Sequence, residues 1–183
     1  PKLRELLVNG EEWLERLFPP QPMNSEESRA QRDAVTDTRV AQPTLGMADM
    51  AAYRLFSLAG VTPDMAGGHS YGEWPALCAA GVITSKQLLH ISAERARSIL
   101  DAAGEDPGTM VSVRADEKAV REALATVSDV VIANLNSPTQ TVISGTADGI
   151  GKAVEVLQES GLKVRTFPVA GAFHSPVLAN ADQ

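Results

Sequence analysis

The order of periodic segments predicts an α/β fold, a layered core with a largely parallel sheet carrying a small inserted subdomain. Two observations lead there. A short strand-like segment at 63–67 passes directly into Gly68-His69-Ser70-Tyr71-Gly72, and a helical pattern follows. That is a strand, a sharp turn and a helix. Farther on, residues 108–168 carry strand and helix signals in the order β-α-β-β-α-β, which is ferredoxin-like.

Residues 2–17 predict short amphipathic helices broken near Asn9-Gly10. Pro19-Pro20-Gln21-Pro22 forces a loop, because proline removes donors and restricts its neighbours. Asn24 or Ser25 caps the next helix, which carries Glu26 and Glu27 in its first turn and fades near Thr36–Thr38. Leu45, Met47, Ala48, Ala51, Ala52, Leu55 and Leu58 predict a helix over 44–59, ended by Gly60. Pro63–Gly67 reads as a short buried strand, and 73–80 as a helix stopped by Gly81. Thr84 or Ser85 opens a helix that runs to residue 103, with Gly104 past its end.

Then the pattern changes. Residues 111–113 read as a strand and 116–127 as a helix. Residues 129–134 and 140–144 are two strands around a turn at Asn136-Ser137-Pro138. Residues 147–160 form a helix closed by Gly161, and 162–167 a last strand. The expected division is 1–107 as core, 108–168 as the ferredoxin-like subdomain, and 169–183 as the return to the core.

Composition narrows the function classes. The net charge of −7 argues against nucleic acid as the main partner. No apolar run is long enough to span a membrane. A single cysteine, Cys78, provides neither a disulfide framework nor a zinc quartet, which fits a reducing cytoplasm. His69, His90 and His174 share no metal-ligand spacing. The chain opens at Pro1 in a charged, helix-like stretch, and reads as a piece of something longer.

Gly68-x-Ser70-x-Gly72 in this context fits a nucleophile elbow, which makes the core hydrolase-like. A serine at the tip of such a turn has strained backbone angles, so the flanking glycines keep its neighbours small. The Tyr71 N–H is then a natural oxyanion donor. A serine nucleophile needs a base. His174 lies between an apolar run and Ser175-Pro176, in a loop at a strand end. It reads either as that base or as a surface histidine. His69 is too close to Ser70 in the chain to serve and is expected to pack beside the turn. His90 reads as an exposed helix residue.

Gly68-His69-Ser70-Tyr71-Gly72-Glu73 resembles the signature of the malonyl-CoA:acyl-carrier-protein transacylase family, which includes the acyltransferase domains of polyketide synthases. Gln42-Pro43-Thr44-Leu45 resembles the segment before that family's long helix. Asn134-Leu135-Asn136-Ser137-Pro138, with Val142-Ile143-Ser144-Gly145, resembles its ferredoxin-like insert. Gly171-Ala172-Phe173-His174 resembles the segment with its catalytic histidine. The four stretches keep the family's order.

The resemblance implies Ser70 as nucleophile, His174 as base and Tyr71 as oxyanion donor. It implies that Arg95 holds the malonyl carboxylate, as a guanidinium fork suits. Phe173, before the histidine, implies malonyl over methylmalonyl, a discrimination of about 1–3 kcal/mol for one methylene-sized difference. Gln42, Asn136 and His69 correspond to substrate-binding positions. No bound cofactor is implied: the substrate is malonyl-CoA and the acceptor is the phosphopantetheine thiol of an acyl carrier protein. Expected partners are that carrier and neighbouring synthase domains, with no nucleic acid and no membrane. Leu17-Phe18-Pro19-Pro20 and the stretch 36–43 resemble bacterial iterative type I polyketide synthases, the enediyne type among them, with polyunsaturated fatty acid synthases as near relatives.

The sequence also departs from the family. No Gly-Gln-Gly loop, the source of a second oxyanion donor, precedes Gln42, and the family continues beyond the histidine. Two rivals share some of these features. A serine hydrolase or thioesterase would use the elbow but needs neither Arg95 nor the insert. An inactive structural fragment of a synthase would keep the fold alone.

Overall fold

The computed structural model describes residues 10–104 and 106–179. It divides into two units inside one helix, between Arg97 and Ser98, where the sequence suggests a boundary near residue 107.

The first unit is helical. Helix α1 spans Gly10–Leu17, and the helix expected over 2–9 lies outside the described residues. Helix α2, Ser25–Thr36, is capped by Asn24, whose Oδ1 accepts the Glu27 N–H at 2.8 Å. Glu27 reaches back to accept the Met23 N–H at 2.7 Å. One N–H that the helix start leaves open is thereby satisfied, and the residue before the cap is tied to the first turn.

Helix α3 spans Thr38–Leu58, starting six residues before the expected position 44 and running through Pro43. Pro43 supplies no N–H to the carbonyl four residues back. Two local bonds hold the turns on either side of it: Asp37 Oδ1 accepts the Arg39 N–H at 2.9 Å, and the Thr44 hydroxyl donates to the Val40 carbonyl at 2.7 Å. The turns around the proline are also buried, including Val40, Gln42, Thr44 and Met47. Packing thus overrides the local preference to stop at proline.

Gly60, at φ +86°, ends α3 as expected. Its N–H bonds to Ser57 and that of Val61 to Phe56, so the left-handed residue closes both open carbonyls.

The strand expected at 63–67 does not form. Those residues are irregular and exposed, and a strand-like segment becomes a strand only where another strand supplies its hydrogen bonds. Among the described residues the first unit holds no strand, so the largely parallel sheet expected around the elbow is not seen there. A 3-10 turn at Ser70–Gly72 leads into α4, Glu73–Ala79. Helix α5 spans Ser85–Ala103. Thr84 caps it, accepting the Gln87 N–H at 3.2 Å while Gln87 Oε1 accepts the Thr84 N–H at 2.9 Å.

The second unit follows the expected β-α-β-β-α-β order: β1 Thr109–Val113, α6 Glu117–Ala123, β2 Val130–Ser137, β3 Gln140–Gly145, α7 Ala147–Glu159 and β4 Val164–Thr166. The sheet order is β2-β3-β1-β4 and every pairing is antiparallel. Val111, Val113 and Ile143 share one sheet face and pack with Val120, Ile150, Ala153 and Leu157 from the two helices. Alternation on the strands and helical spacing on α7 meet in one core. The β2–β3 turn is Pro138-Thr139, later than expected, because Asn136 and Ser137 remain in β2 and Ser137 pairs with Gln140. No described helix is long and apolar enough to cross a membrane.

Candidate active site

The elbow is built by close backbone approach. A Cβ on Gly68 would lie 2.0 Å from the Gly72 carbonyl oxygen and 2.5 Å from the Glu73 nitrogen, so only glycine fits. The Gly72 N–H closes the turn onto the His69 carbonyl at 2.9 Å. Ser70 at the tip has φ +53°, a left-handed conformation that costs a non-glycine residue about 1–3 kcal/mol. Gly72 itself is different from the expectation. Its backbone is right-handed (φ −59°) and a Cβ there would meet nothing within 4 Å. One glycine is sterically required, not two. His69 is exposed rather than packed beside the turn.

Three of the sequence-selected residues converge beside the elbow. Arg95 on α5 is half-buried and its Nη1 donates to Gln42 Oε1 on α3 at 2.8 Å. Burial pulls the guanidinium pKa below its ordinary value, although Tyr71 and Glu73 act in the opposite direction. Arg95 pairs with no carboxylate among the described residues, whereas its exposed neighbour Arg97 bridges to Glu94. A partly desolvated cation held by one neutral amide leaves donors available for a carboxylate.

Tyr71 is the third member. Its ring is buried, at 9% exposure, and its hydroxyl lies 2.7 Å from Ser92 Oγ on α5. Burial pushes the Tyr71 phenol above its ordinary pKa, so it stays protonated. A cavity of about 400 Å³ opens on the glycine side of the elbow, lined by Asp49, Tyr53, Met65, Gly68 and Gly72. Burial there raises the Asp49 carboxyl pKa. Ser70 and Arg95 do not line it.

The second unit carries the remaining candidates. His174 is exposed at φ +59°, and Phe173 beside it is half-buried. Their loop is anchored rather than free-hanging. The Ala172 N–H donates to the Pro107 carbonyl at 2.7 Å, and the Ser175 hydroxyl donates to the Ala172 carbonyl at 2.7 Å. Gly171 fits closely, since a Cβ there would be 2.9 Å from the Pro107 oxygen. Asn136 is exposed near the end of β2, with its Nδ2 donating to Gln140 Oε1 at 3.3 Å.

The structure therefore groups Gln42, Tyr71 and Arg95 in the first unit, where Ser70 also lies, and Phe173 with His174 in the second. Two residues of the first cluster escape the sequence reading. Gly46 would place a Cβ 2.4 Å from the Tyr71 hydroxyl, and Ser92 bonds that hydroxyl. An isolated glycine within a helical pattern was the available signal for the first. A serine in the middle of a helical pattern was the signal for the second.

The chain belongs to the acyl transferase domain family, whose model matches residues 2–183. It is 36% identical over 158 residues to the malonyl CoA-acyl carrier protein transacylase of Bacillus subtilis, covering 82% of this chain and 50% of that protein. It is 34% identical over 171 residues to one of the polyunsaturated fatty acid synthase proteins of Thraustochytrium, covering 91% of this chain and 6% of that one. Among solved structures it resembles the acyltransferase domain of an iterative polyketide synthase of enediyne biosynthesis. The TM-score is 0.73 at 33% identity, over 79% of this chain and 38% of that one. The chain thus spans half or less of these relatives.

Proposed function

We propose that this domain moves a malonyl group from malonyl-CoA to the phosphopantetheine thiol of an acyl carrier protein, through an ester on Ser70. The observation that carries the reading is Arg95, a half-buried cation without a carboxylate partner among the described residues, fixed by Gln42. A serine hydrolase has the elbow but no reason to keep such a fork.

In this reading the core is hydrolase-like, residues 108–168 form a ferredoxin-like subdomain, and residues 169–183 return to the core. Ser70 Oγ bonds to the thioester carbonyl carbon while its proton passes to His174. The Tyr71 N–H steadies the oxyanion. The carbon–sulfur bond then breaks, and coenzyme A leaves as the thiol with the proton from His174. In the second half-reaction the carrier's thiol gives its proton to His174 and its sulfur takes the malonyl carbon. The ester bond breaks and Ser70 recovers its proton. Arg95 holds the malonyl carboxylate throughout, Phe173 narrows the pocket against an α-methyl, and Gln42, Asn136 and His69 complete the substrate-binding residues. The B. subtilis transacylase and the synthase relatives support the substrate, the carrier partner and a multidomain setting.

The test is intact mass after brief exposure of the full-length protein to malonyl-CoA, beside Ser70→Ala. A malonyl adduct is expected on the wild type and its formation should fall on the order of 10⁴-fold or more in the variant. An adduct that persists on the variant removes Ser70 as nucleophile. Coenzyme A release that runs equally fast without a carrier identifies a thioesterase instead. Arg95→Ala should lose about 100-fold in malonyl loading, the scale of breaking a desolvated charge pair.

A further inference from the structure

The Gln42–Arg95 pair has a neighbour one helical turn away. Gly46 follows Gln42 by four residues on α3, and Ser92 precedes Arg95 by three on α5, so both lie on the faces that carry the pair. Between Gly46 and Ser92 sits the Tyr71 hydroxyl.

Its hydrogen bonding has one solution. The Ser92 hydroxyl has a single proton and gives it to the Leu88 carbonyl at 2.7 Å. The 2.7 Å contact between Tyr71 and Ser92 must then carry the tyrosine proton. Ser92 is 1% exposed, so water does not substitute for either partner. On the other side α3 comes so close that a Cβ at position 46 would lie 2.4 Å from the Tyr71 hydroxyl and displace it. The residue next to the nucleophile is thus held between the two helices that present the guanidinium and its amide.

We propose that the Tyr71 side chain is a positioning residue for acyl selectivity: its bond to Ser92 sets the elbow's position relative to the Arg95 fork, so that an acyl chain ending in a carboxylate spans the two. This rests on the transfer function proposed above. An acyl group without a carboxylate makes no demand on that spacing. The device therefore acts on the malonyl-to-acetyl preference, whereas a merely structural bond would affect both acyl groups equally.

The experiment measures the rates at which Ser70 is loaded from malonyl-CoA and from acetyl-CoA in full-length protein. The variants are Ser92→Ala, Tyr71→Phe and the double substitution, with folding checked by thermal melting. The malonyl-to-acetyl ratio should fall roughly fivefold to tenfold in each single variant, the scale of one buried hydrogen bond. It should fall no further in the double, because the two hydroxyls act as one unit. A ratio equal to the wild type's in folded single variants overturns the positioning role and leaves the transfer function intact. So does an additive drop in the double. A wild type that loads neither acyl group from coenzyme A overturns the transfer function itself.

Discussion

The two units bury their apolar residues by different means. In the second, Val113, Val120, Ile143, Ala153 and Leu157 are fully enclosed by one sheet face and two helices of the same unit. In the first, the N-terminal turns of α3 are buried, but Leu55, Phe56, Leu58, Val61 and Met65 are exposed, Leu58 by 80% and Met65 by 90%. The difference is one of hydrogen-bond partners as well as packing. Each strand of the second unit finds its pairing partners within the same unit. The segment at 63–67 has no paired strand among the described residues. The elbow that follows nevertheless keeps its geometry, because its constraints lie within five residues, from Gly68 to Gly72. A reactive turn can be specified locally even where the surrounding layer is not.

The largest effect that probes this contrast is on stability. Leu157→Ala should cost about 2–5 kcal/mol, as an enclosed leucine does. Leu58→Ala should stay within about 0.5 kcal/mol, as an exposed one does. Urea melts of the two variants measure both, and equal losses would mean that Leu58 is covered in the folded protein.

The elbow provides a second contrast. Gly68→Ala forces its Cβ into backbone and should destabilise by about 1–3 kcal/mol or more. Gly72→Ala occupies open space with a right-handed backbone and should hold or raise stability by about 0.4–1 kcal/mol. Thermal melting resolves the opposite signs. A loss at position 72 as large as that at 68 would show that something fills the space beside Gly72.

The smallest effect concerns Tyr71. Its folded pKa is raised above the ordinary value of 10.0, so the stability it contributes is complete below pH 10 and is lost as pH rises through the higher folded value. Wild type should therefore keep a constant advantage over Tyr71→Phe up to about pH 10 and lose it progressively above. A difference that does not change across pH 9–11 in chemical denaturation would show the phenol to be solvated.

Much of the second unit was legible because its signals are local and agree with one another. The capping side chains, the helix-closing glycines and the order of strands and helices along the chain all follow from short-range chemistry. The hairpin slipped because Asn136-Ser137-Pro138 has good turn composition, yet ladder pairing of Ser137 with Gln140 keeps the first two residues in the strand. In the first unit the expected helix boundary failed at Pro43, where burial and the Asp37 and Thr44 hydrogen bonds outweigh the proline.

By itself the sequence determined the order of elements in the second unit, the caps, and the elbow that puts a serine at a left-handed tip. It could do so because each depends on residues a few positions apart. Only the tertiary structure decided that Gln42 meets Arg95 across 53 residues, and that Tyr71 meets Ser92 against the bare backbone of Gly46. Those contacts join α3, the elbow turn and α5, and no local preference encodes which faces of such distant elements will meet.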